Sequence, residues 1–424
     1  MSSTVPAKRP LLIVGASCEQ VPLIEKARAG GWSTVVMDYD SAAPGLALAD
    51  VPAVESTRDV QAAVRLGREH GVRAVLTTAS ESAILTVAET CRELGLPGLP
   101  VEAARQSTDK SLMKQCFLKA GLPTSDFRVV ARASEAQRAA HEIGFPCIIK
   151  PCDGAGSRGV LRTDSAQEVE EAFRSALEAS KLGRCLVEGY EQGIELSADA
   201  FLSGGRAQVL GIADKEKEEG GQGRANVAMN IVYPPRFDDD ETAQAEDLVG
   251  RAALAVGIED GPVHVELMRT GPGRFSLLEI GARGGGFHTF SKVMPAISGV
   301  DTLQALIELA LGRRPPVVPT RRQAAALRFA GSSGRHGRIT RLAGLSQVRS
   351  LPGVLEAGFL KNEGDCVRPV SQDGDRIAYW IVSGKNRAHV LSLSQRVKDL
   401  VCIDIEESAQ VQEQKETHSE DQVA

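Results

Sequence analysis

The sequence predicts a protein of mixed α/β and α+β class, with a parallel α/β part first and antiparallel parts after it. Residues 11–100 alternate between short apolar strands and amphipathic helices, an order typical of a parallel sheet with right-handed crossovers. A glycine-rich segment joins two short strands at 145–163, and a second strand pair with a Gly-Pro-Gly turn spans 264–280. Both patterns indicate antiparallel hairpins.

Composition sets the class of protein and excludes several kinds of partner. The 424 residues are 42% hydrophobic and 25% charged, with a formal net charge of −6, which is ordinary for a globular chain of about two to four domains. The negative charge argues against nucleic acid binding. No apolar run approaches the ~20 residues of a membrane span, and the first residues lack the apolar length of a secretion signal. The eight cysteines form no C-x-x-C pair, so we expect neither a zinc site nor disulfides in a cytoplasmic protein.

The first 105 residues hold three predicted strand–helix units. The predicted strands are 11–14, 34–37 and 73–77, and the predicted helices are 18–29, 59–70 and 82–94. Each helix ends at a glycine, which is common at helix C-termini. The turn after the first strand has one glycine, Gly15, and Asp38 follows at a spacing that suits a ribose. A nucleotide site and a doubly wound domain without nucleotide both agree with this pattern, and we favour the second.

Turn and cap signals divide the rest of the chain into further segments. The predicted segments are a small lobe at 106–188, a second α+β lobe at 189–316, a β-rich end piece at 317–405 and a polar tail at 406–424 that we expect to be disordered. Two prolines at 315–316 mark the boundary before the end piece. In the small lobe, the run Ser-Thr-Asp-Lys at 107–110 predicts one helix start. Capping boxes at 134–137 and 165–168 predict two more.

The segment 145–160, FPCIIKPCDGAGSRGV, carries the strongest sign of a ligand site. Its apolar run ends in Lys150, and a glycine-rich loop follows whose backbone N–H groups can approach a phosphate. The letters match G-x-G-x-x-G, but a strand follows them, whereas a dinucleotide fold requires a helix there. A Walker A loop is excluded because Gly-Lys-Ser/Thr is missing. We therefore expect a hairpin flap over nucleotide phosphates, and the alternative is an ordinary glycine-rich hairpin.

Two glutamates lie on the predicted strand pair at 264–280. If the turn has four residues, Arg269 faces Arg274, and Glu279 lies two residues beyond the position opposite Glu266 on the same face. Such diagonal neighbours are ~7–8 Å apart at Cα, close enough for two carboxylates to bind a hard cation together with nucleotide phosphates. The alternative is a solvent-facing strand pair without a metal. His264, on the same face, either lines this site or is a satisfied core histidine.

These features occur in the order expected of the ATP-grasp superfamily, which the chain resembles over about residues 8–405. It is most similar to carboxylate–amine ligases of the L-amino-acid ligase and carnosine-synthase-like group. The similarity rests on Asp214-Lys215, the run EIGARGGG at 279–286 and the segment 351–365. The resemblance implies an ATP-grasp fold with a Rossmann-like pre-ATP-grasp domain at 1–105, two ATP-clasping lobes at 106–188 and 189–316, and a lid-like domain at 317–405.

The resemblance also implies roles for the matching residues. Those implied for ATP binding are Lys110, Lys150, Gly154, Ala155, Gly156, Ser157, Glu188, Gly189, Tyr190 and Glu195. Those implied for metal binding, with Mg²⁺ or Mn²⁺, are Glu266 and Glu279, and those implied for catalysis are Arg283 and Lys150. Many family members have an asparagine two residues after the second metal glutamate, where this chain has Gly281, so a third protein ligand stays open.

The resemblance implies an enzyme that joins a small carboxylate to a small amine, both expected to be amino acids. ATP would convert the acid to an acyl phosphate, and the amine would displace phosphate to give an amide or peptide bond. Similar enzymes are commonly homodimers. One alternative is a carboxylase that uses carboxyphosphate, and another is a nucleotide-binding protein without turnover. An NAD-dependent dehydrogenase would rest on Gly15 and Asp38 alone.

Overall fold

The computed structural model describes residues 8–217 and 227–407. Within these ranges the chain forms four sheets, one parallel and three antiparallel. The predicted tail at 406–424 lies outside the described residues, apart from Glu406 and Glu407, which end the last strand.

The N-terminal part is the predicted parallel α/β domain. Its elements are β1 Lys8–Val14, α1 Val21–Ala29, β2 Trp32–Asp38, β3 Val51–Val54, α2 Val60–Glu69, β4 Ala74–Leu76 and α3 Ile84–Leu94. The parallel sheet has the order β3-β2-β1-β4. Strand β3 was not predicted, because it is a four-residue edge strand that contains Pro52 and alternates between half-buried and exposed residues. The Asp38 carboxylate accepts the N–H of Ala16 at 2.7 Å and so closes the first turn.

The small lobe packs helices against an antiparallel sheet of order β5-β8-β6-β7. Its elements are α4 Val101–Thr108, α5 Lys110–Lys119, β5 Phe127–Val130, α6 Ala133–Ile143, β6 Cys147–Pro151, β7 Leu161–Thr163, α7 Val169–Ala179 and β8 Cys185–Gly189. The antiparallel pairing of β6 with β7 confirms the predicted hairpin around the glycine-rich loop.

Three predicted helix starts in this lobe were wrong in detail. Ser107 and Thr108 end α4 and donate to the Ala104 carbonyl, so Asp109 alone caps α5 by accepting the N–H of Ser111. The box at 134–137 lies inside α6, which begins one residue earlier, after Arg132. The box at 165–168 precedes α7 as a 3₁₀ turn without a side-chain cap from its serine. In the first two cases the residues before the predicted start were already helical, and in the third a 3₁₀ turn precedes the α-helix.

The large lobe and the end piece share one sheet. The elements of the large lobe are β9 Ile194–Ser203, β10 Arg206–Lys217, β11 Ala228–Tyr233, α8 Asp239–Ala255, β12 Gly261–Gly271, β13 Arg274–Gly281, α9 Met294–Ser298 and α10 Thr302–Ala310. Those of the end piece are β14 Ala324–Ala330, β15 Gly337–Ala343, α11 Leu345–Arg349, β16 Val354–Phe359, β17 Cys366–Val367, β18 Ala378–Gly384, α12 Arg387–Leu400 and β19 Cys402–Glu407. The shared sheet has the order β13-β12-β9-β10-β11-β14-β18-β16, and β17-β15-β19 form a smaller sheet.

The end piece was predicted to be β-rich, and the structure adds a helix, α12, that was not predicted. Val390, Leu393 and Val397 of this helix pack in one apolar cluster with the buried Trp380 of β18. The Trp380 Nε1 atom donates to the Ser394 Oγ atom at 2.8 Å. Strands β14, β18 and β16 continue the large-lobe sheet beyond β11, so the end piece adjoins β11 and lies at the other end of the sheet from the strands β12 and β13 that carry the two glutamates.

One apolar cluster connects the N-terminal domain to the rest of the molecule. It includes Leu11 and Ile24 of the parallel domain together with Phe201, Phe290 and Ile381 from the shared sheet and its helices. The burial of apolar side chains is the main favourable contribution to the packing of one part of a protein against another. The cluster fixes the loops after β1 and β4 next to the loop that follows β13.

No single helix in the described residues is long and apolar enough to cross a membrane. Two short helical segments, Thr289–Ser298 and Thr302–Ala310, pass the test of length and composition only as a pair, and they are bent by 116° relative to each other.

Gly344 joins β15 to α11 and is predicted to tolerate no side chain. Its φ is +97°, and a Cβ atom there would lie 1.9 Å from the carbonyl oxygen of Leu400. We expect Gly344→Ala to destabilise the protein by about 3 kcal/mol or more, since backbone strain and overlap with main-chain atoms add. Gly334→Ala is the matched control, because its φ is +80° but no atom lies within 4 Å of the added methyl. Equal shifts of the urea midpoint for the two variants would contradict the prediction.

Candidate functional site

A cavity of about 700 Å³ lies where the flap, β8, the β12–β13 hairpin and the end piece meet. Every residue that the sequence predicted for ATP binding, metal binding or catalysis lines it. These are Lys110, Lys150, Gly154, Ala155, Gly156, Ser157, Glu188, Gly189, Tyr190, Glu195, Glu266, Glu279 and Arg283. The predicted set, drawn from segments far apart in sequence, therefore converges on one cavity.

The glycine-rich flap is fixed at its base and open at its tip. The Asp153 carboxylate accepts the Ser180 hydroxyl at 2.7 Å and the N–H of Lys181 at 3.0 Å. Lys110 Nζ donates to the Gly154 carbonyl at 2.8 Å. Beyond that point Gly156 and Ser157 adopt left-handed backbone angles, which glycine allows at little cost. The tip is therefore a turn that can present its N–H groups to a ligand.

Beneath the flap, three charged side chains form a buried ion triad. Glu188 lies between Lys114, whose Nζ is 2.8 Å from Oε2, and Lys150, whose Nζ is 2.5 Å from Oε1. All three side chains are at least nine-tenths buried. Burial would raise the pKa of Glu188, but the two lysines outweigh it and hold the pKa at about 2. The glutamate expected to border adenine is thus also the counter-ion of Lys150.

Lys114 was missed by the sequence analysis. Its ammonium donates to the hydroxyls of Thr124 and Ser125, both at 2.8 Å, and Thr124 in turn donates to the Leu277 carbonyl at 2.8 Å. Leu277 lies on β13, two residues before Glu279. The available signal was a lysine next to Met113 on the face of α5 that also carries the core residue Phe117, since an unpaired lysine is almost never fully buried.

The two glutamates lie directly opposite each other, closer than predicted. Glu266 pairs with Glu279, and Gly271 pairs with Arg274, so the turn has two residues and the predicted four-residue turn was wrong. Bulges on either side of the Leu267–Leu277 pair cancel, which restores the register at the glutamates. Directly opposed residues are closer than the diagonal neighbours that we expected.

Each glutamate is already paired with a lysine. Glu279 lies 3.1 Å from Lys110 Nζ, and Glu266 lies 2.8 Å from Lys215 Nζ. Burial would raise the pKa of Glu266, but Lys215 and His264 outweigh it and hold the pKa at about 2. Glu195, expected at the ribose, also pairs with Lys215, at 2.5 Å. Lys215 had been noted only as a point of likeness, and the structure places it in the cavity wall between two carboxylates.

Arg283 forms a partly buried ion pair with a residue of the N-terminal domain. Its Nε atom donates to Glu81 Oε2 at 2.9 Å, and its Nη1 atom donates to the Gly284 carbonyl at 3.0 Å. Gly281 lies beside this pair, and a Cβ atom there would be 3.2 Å from Glu81 Oε2. A larger residue at this position would therefore crowd the Arg283–Glu81 pair.

The His264 side chain lines the cavity and also has a hydrogen-bond partner. Its Nδ1 atom is 3.1 Å from Asp199 Oδ2, and the other oxygen of Asp199 accepts the N–H of Gly285 at 2.7 Å. A Cβ atom on Gly285 would come within 3.0 Å of both side chains. The glycine run after Glu279 therefore allows the loop to pack tightly on this pair.

The cavity offers a divalent cation two carboxylate ligands. Its described residues do not offer a complete set of protein ligands. Within residues 8–217 and 227–407, no group of three or more His, Cys, Asp or Glu side chains is arranged to hold a metal ion. Glu266 and Glu279 offer opposed oxygen ligands on one cavity wall. Oxygen ligands of this kind suit Mg²⁺, which often binds through one or two carboxylates together with substrate phosphates.

The buried ion triad predicts how stability depends on pH. Because the folded pKa of Glu188 is about 2 and its ordinary value is 4.5, the triad stabilises the fold above pH 4.5, and this contribution is lost as pH falls toward 2. The difference corresponds to roughly 3 kcal/mol. We expect Lys114→Met to lower stability at pH 7 by about 3–5 kcal/mol, and to make the further loss between pH 5 and pH 3 smaller, as measured by urea denaturation.

Lys119→Met is the control for this prediction, since Lys119 is exposed on the same helix and its loss should change stability by about 0.5 kcal/mol at most. A Lys114→Met protein with the wild-type midpoint and the wild-type pH dependence would show that the triad does not carry the stability assigned to it.

Comparisons with known proteins agree with this arrangement. Residues 143–290 match the family model of the ATP-grasp domain, and residues 332–406 match that of the L-amino acid ligase C-terminal domain 2. An L-arginine-specific L-amino acid ligase from Bacillus subtilis is 24% identical over 325 residues, covering 75% of this chain and 78% of that protein. A D-alanine–D-alanine ligase from Pseudomonas putida is 30% identical over 224 residues, covering 51% of this chain and 68% of that protein.

The solved structures give the same fold. The crystal structure of an L-amino acid ligase from Bacillus licheniformis superimposes with a TM-score of 0.79 at 20% identity, covering 94% of this chain and 99% of that one. The family models and the D-alanine–D-alanine ligase confirm the family predicted from the sequence. The chain belongs to the ATP-grasp carboxylate–amine ligases and resembles the L-amino acid ligases among them.

Proposed function

We propose that this protein joins the carboxyl group of one small molecule to the amine of another, with amino acids as the substrates, at the expense of ATP. The observation that carries the proposal is the convergence of a phosphate-type flap, buried lysines and two opposed glutamates on one cavity. The L-amino acid ligase-like C-terminal segment at 332–406 supports amino acids as the substrate class.

The cavity offers ATP a set of cations whose charges are already fixed in place. Lys150 and Lys110 project from the two sides of the flap base, and both are buried. Phosphoryl transfer needs mainly positioning and neutralisation of charge on the oxygens. We assign the phosphates of ATP to these two lysines and to the flap tip at residues 154–157. We assign the adenine to residues 188–190, at the end of β8.

Glu266 and Glu279 are the residues that would hold Mg²⁺. When bound there, the cation would neutralise charge on the phosphate oxygens. The lysine partners of the two glutamates keep the carboxylates oriented into the cavity, since each pair spans two different elements of the fold. Lys110 also joins Glu279 to the Gly154 carbonyl of the flap, so the metal-binding wall and the flap are positioned by the same ammonium.

The reaction follows from the poor electrophilicity of a carboxylate. One carboxylate oxygen attacks the γ-phosphorus of ATP, the bond to ADP breaks, and an acyl phosphate results. The amine then attacks the carbonyl carbon, loses a proton and displaces phosphate. Arg283 is the residue that we assign to the acyl phosphate or the substrate carboxylate, because its guanidinium donates in a planar fork. The flap would exclude water, which otherwise hydrolyses the acyl phosphate.

The proposal predicts that ADP and phosphate form only when a suitable acid and a suitable amine are both present with MgATP. The test is a matrix of L-amino acid pairs scored by phosphate release, with mass spectrometry of the product. AMP and pyrophosphate would contradict the acyl-phosphate route. Phosphate release that depends on bicarbonate alone would replace the ligase with a carboxylase, and tight ATP binding without turnover would indicate a nucleotide-binding protein.

Arg283→Lys should separate chemistry from nucleotide binding. The lysine keeps the charge next to Glu81 but loses the fork of donors, so we expect ligation to fall on the order of 10²-fold. ATP affinity measured by calorimetry should stay within about threefold. Arg251→Lys, in an exposed pair with Asp247 on α8, is the control. If Arg283→Lys ligates at the wild-type rate, the arginine has no catalytic role and only pairs with Glu81. If ATP affinity is lost instead, the arginine binds the nucleotide.

A further inference from the structure

The end piece contributes a hydrogen-bonded turn to the cavity, which we call the 371–376 turn. The Asp375 carboxylate accepts the N–H groups of Ser371 and Gln372 and the hydroxyl of Ser371, and it pairs with Arg368 at 2.9 Å. Within this turn, Gln372, Asp373, Gly374 and Arg376 line the cavity. None of these four residues was predicted from the sequence to belong to the site.

Arg376 is the buried cation of this turn. Only 4% of the residue is exposed, and its guanidinium lies over the rings of Phe329 at 3.8 Å and Phe287 at 5.0 Å. Its Nη2 atom donates to the Ala228 carbonyl at 2.6 Å and pairs with Asp373 Oδ1 at 2.9 Å. Its Nε atom is buried and has no hydrogen-bond partner among the described residues. A guanidinium with an unpaired Nε donor, packed on two aromatic rings, is suited to a planar anion.

The charge balance around Arg376 differs from that around two other cations of the cavity, Lys110 and Lys215. Burial would lower the pKa of Lys110 and of Lys215, yet their carboxylate neighbours outweigh it, and both pKa values are raised. For Arg376, burial is the larger effect and the pKa is lowered despite Asp373. Asp373 is itself about one-third exposed, so it compensates the guanidinium only in part. An additional anion at this place would restore the balance.

The surroundings of Arg376 place this anion between the nucleotide side and the reaction loop. Asp373 lies against the flap, with an oxygen 3.7 Å from the Cβ position of Gly156. Phe287 belongs to the loop that begins at Arg283, and Ile231 and Leu327 complete an apolar wall of the cavity. A substrate held here would contact the Arg376 guanidinium, which is paired with the partly exposed Asp373, and the apolar wall.

We propose that Arg376 binds a carboxylate group that does not react, carried by one of the two substrates, and that it thereby selects amino acids over simple amines or acids. This inference rests on the proposed function. Two sources offer the same chemistry: the α-carboxylate of the amino acid that supplies the amine, and a second carboxylate on the acid that is activated. In both cases Arg376 is a specificity-determining residue and takes no part in the transfer itself.

The test compares each substrate with its carboxamide. For a productive pair from the amino acid matrix, kcat/KM is measured with the amine partner and with the same amino acid as its α-carboxamide. A second arm compares glutamate with glutamine, and aspartate with asparagine, as the activated acid. We expect Arg376→Met to reduce the preference for the carboxylate form by about 10- to 100-fold in one arm. Arg376→Lys should retain part of the preference, because it keeps the charge.

Arg368→Met is the matched control, since it removes an arginine that pairs with Asp375 of the 371–376 turn and does not line the cavity. A structural role of Arg376 would lower the rates of carboxylate and carboxamide alike, and that result would overturn the proposal. An unchanged preference, or a loss of ATP affinity without a change in preference, would also overturn it.

Binding measurements separate this inference from the proposed function. Calorimetry of the same amino acids and carboxamides, in the presence of a non-hydrolysable ATP analogue, tests Arg376 without turnover. A wild-type protein that binds the carboxylate form more tightly through Arg376 but forms no amide would refute the ligase and retain the carboxylate site. If the wild-type protein forms amides and Arg376→Met keeps the same preference for the carboxylate form, the ligase function stands and the carboxylate site at Arg376 is refuted.

Discussion

The pairing of Glu188 with Lys114 and Lys150 is the interaction on which the geometry of the cavity depends. Three buried charges are costly unless each has a partner, and here a single carboxylate serves two ammonium groups. Through Thr124, the same triad is bonded to the Leu277 carbonyl of β13. The strand of the small lobe that carries Lys150 and the strand of the large lobe that carries Glu279 are therefore positioned relative to each other by one polar network.

The cavity is built from cations and carboxylates that neutralise one another before any ligand is present. A polyanion that enters must compete with Glu188 for Lys150 and with Glu279 for Lys110. A cation bound between Glu266 and Glu279 would relieve that competition, because it gives the displaced carboxylates a new partner. The exchange of partners is a physical reason why the phosphates and the metal are expected to bind together.

The predictable part of the molecule was the part with local signals. The strand–helix alternation, the flap hairpin and the strand pair with its two glutamates were read from short-range patterns, because periodicity and glycine turns report local backbone structure. Errors occurred where a neighbouring segment decided the outcome. The box at 134–137 looked like a helix start, but α6 had already begun. The turn after Gly271 was two residues long, and two opposed bulges set the register of Glu266 with Glu279.

The sequence by itself determined which chemical groups are present and the order in which they occur, and this was enough to identify the ATP-grasp family and the residues that converge on the cavity. Only the tertiary structure decided their partners. The partners lie far apart in the sequence: Arg283 and Glu81 are separated by 202 residues, and Arg376 and the Ala228 carbonyl by 148 residues. Pairing over such distances depends on the packing of whole domains, because a charge is buried only where the fold brings a counter-ion to it.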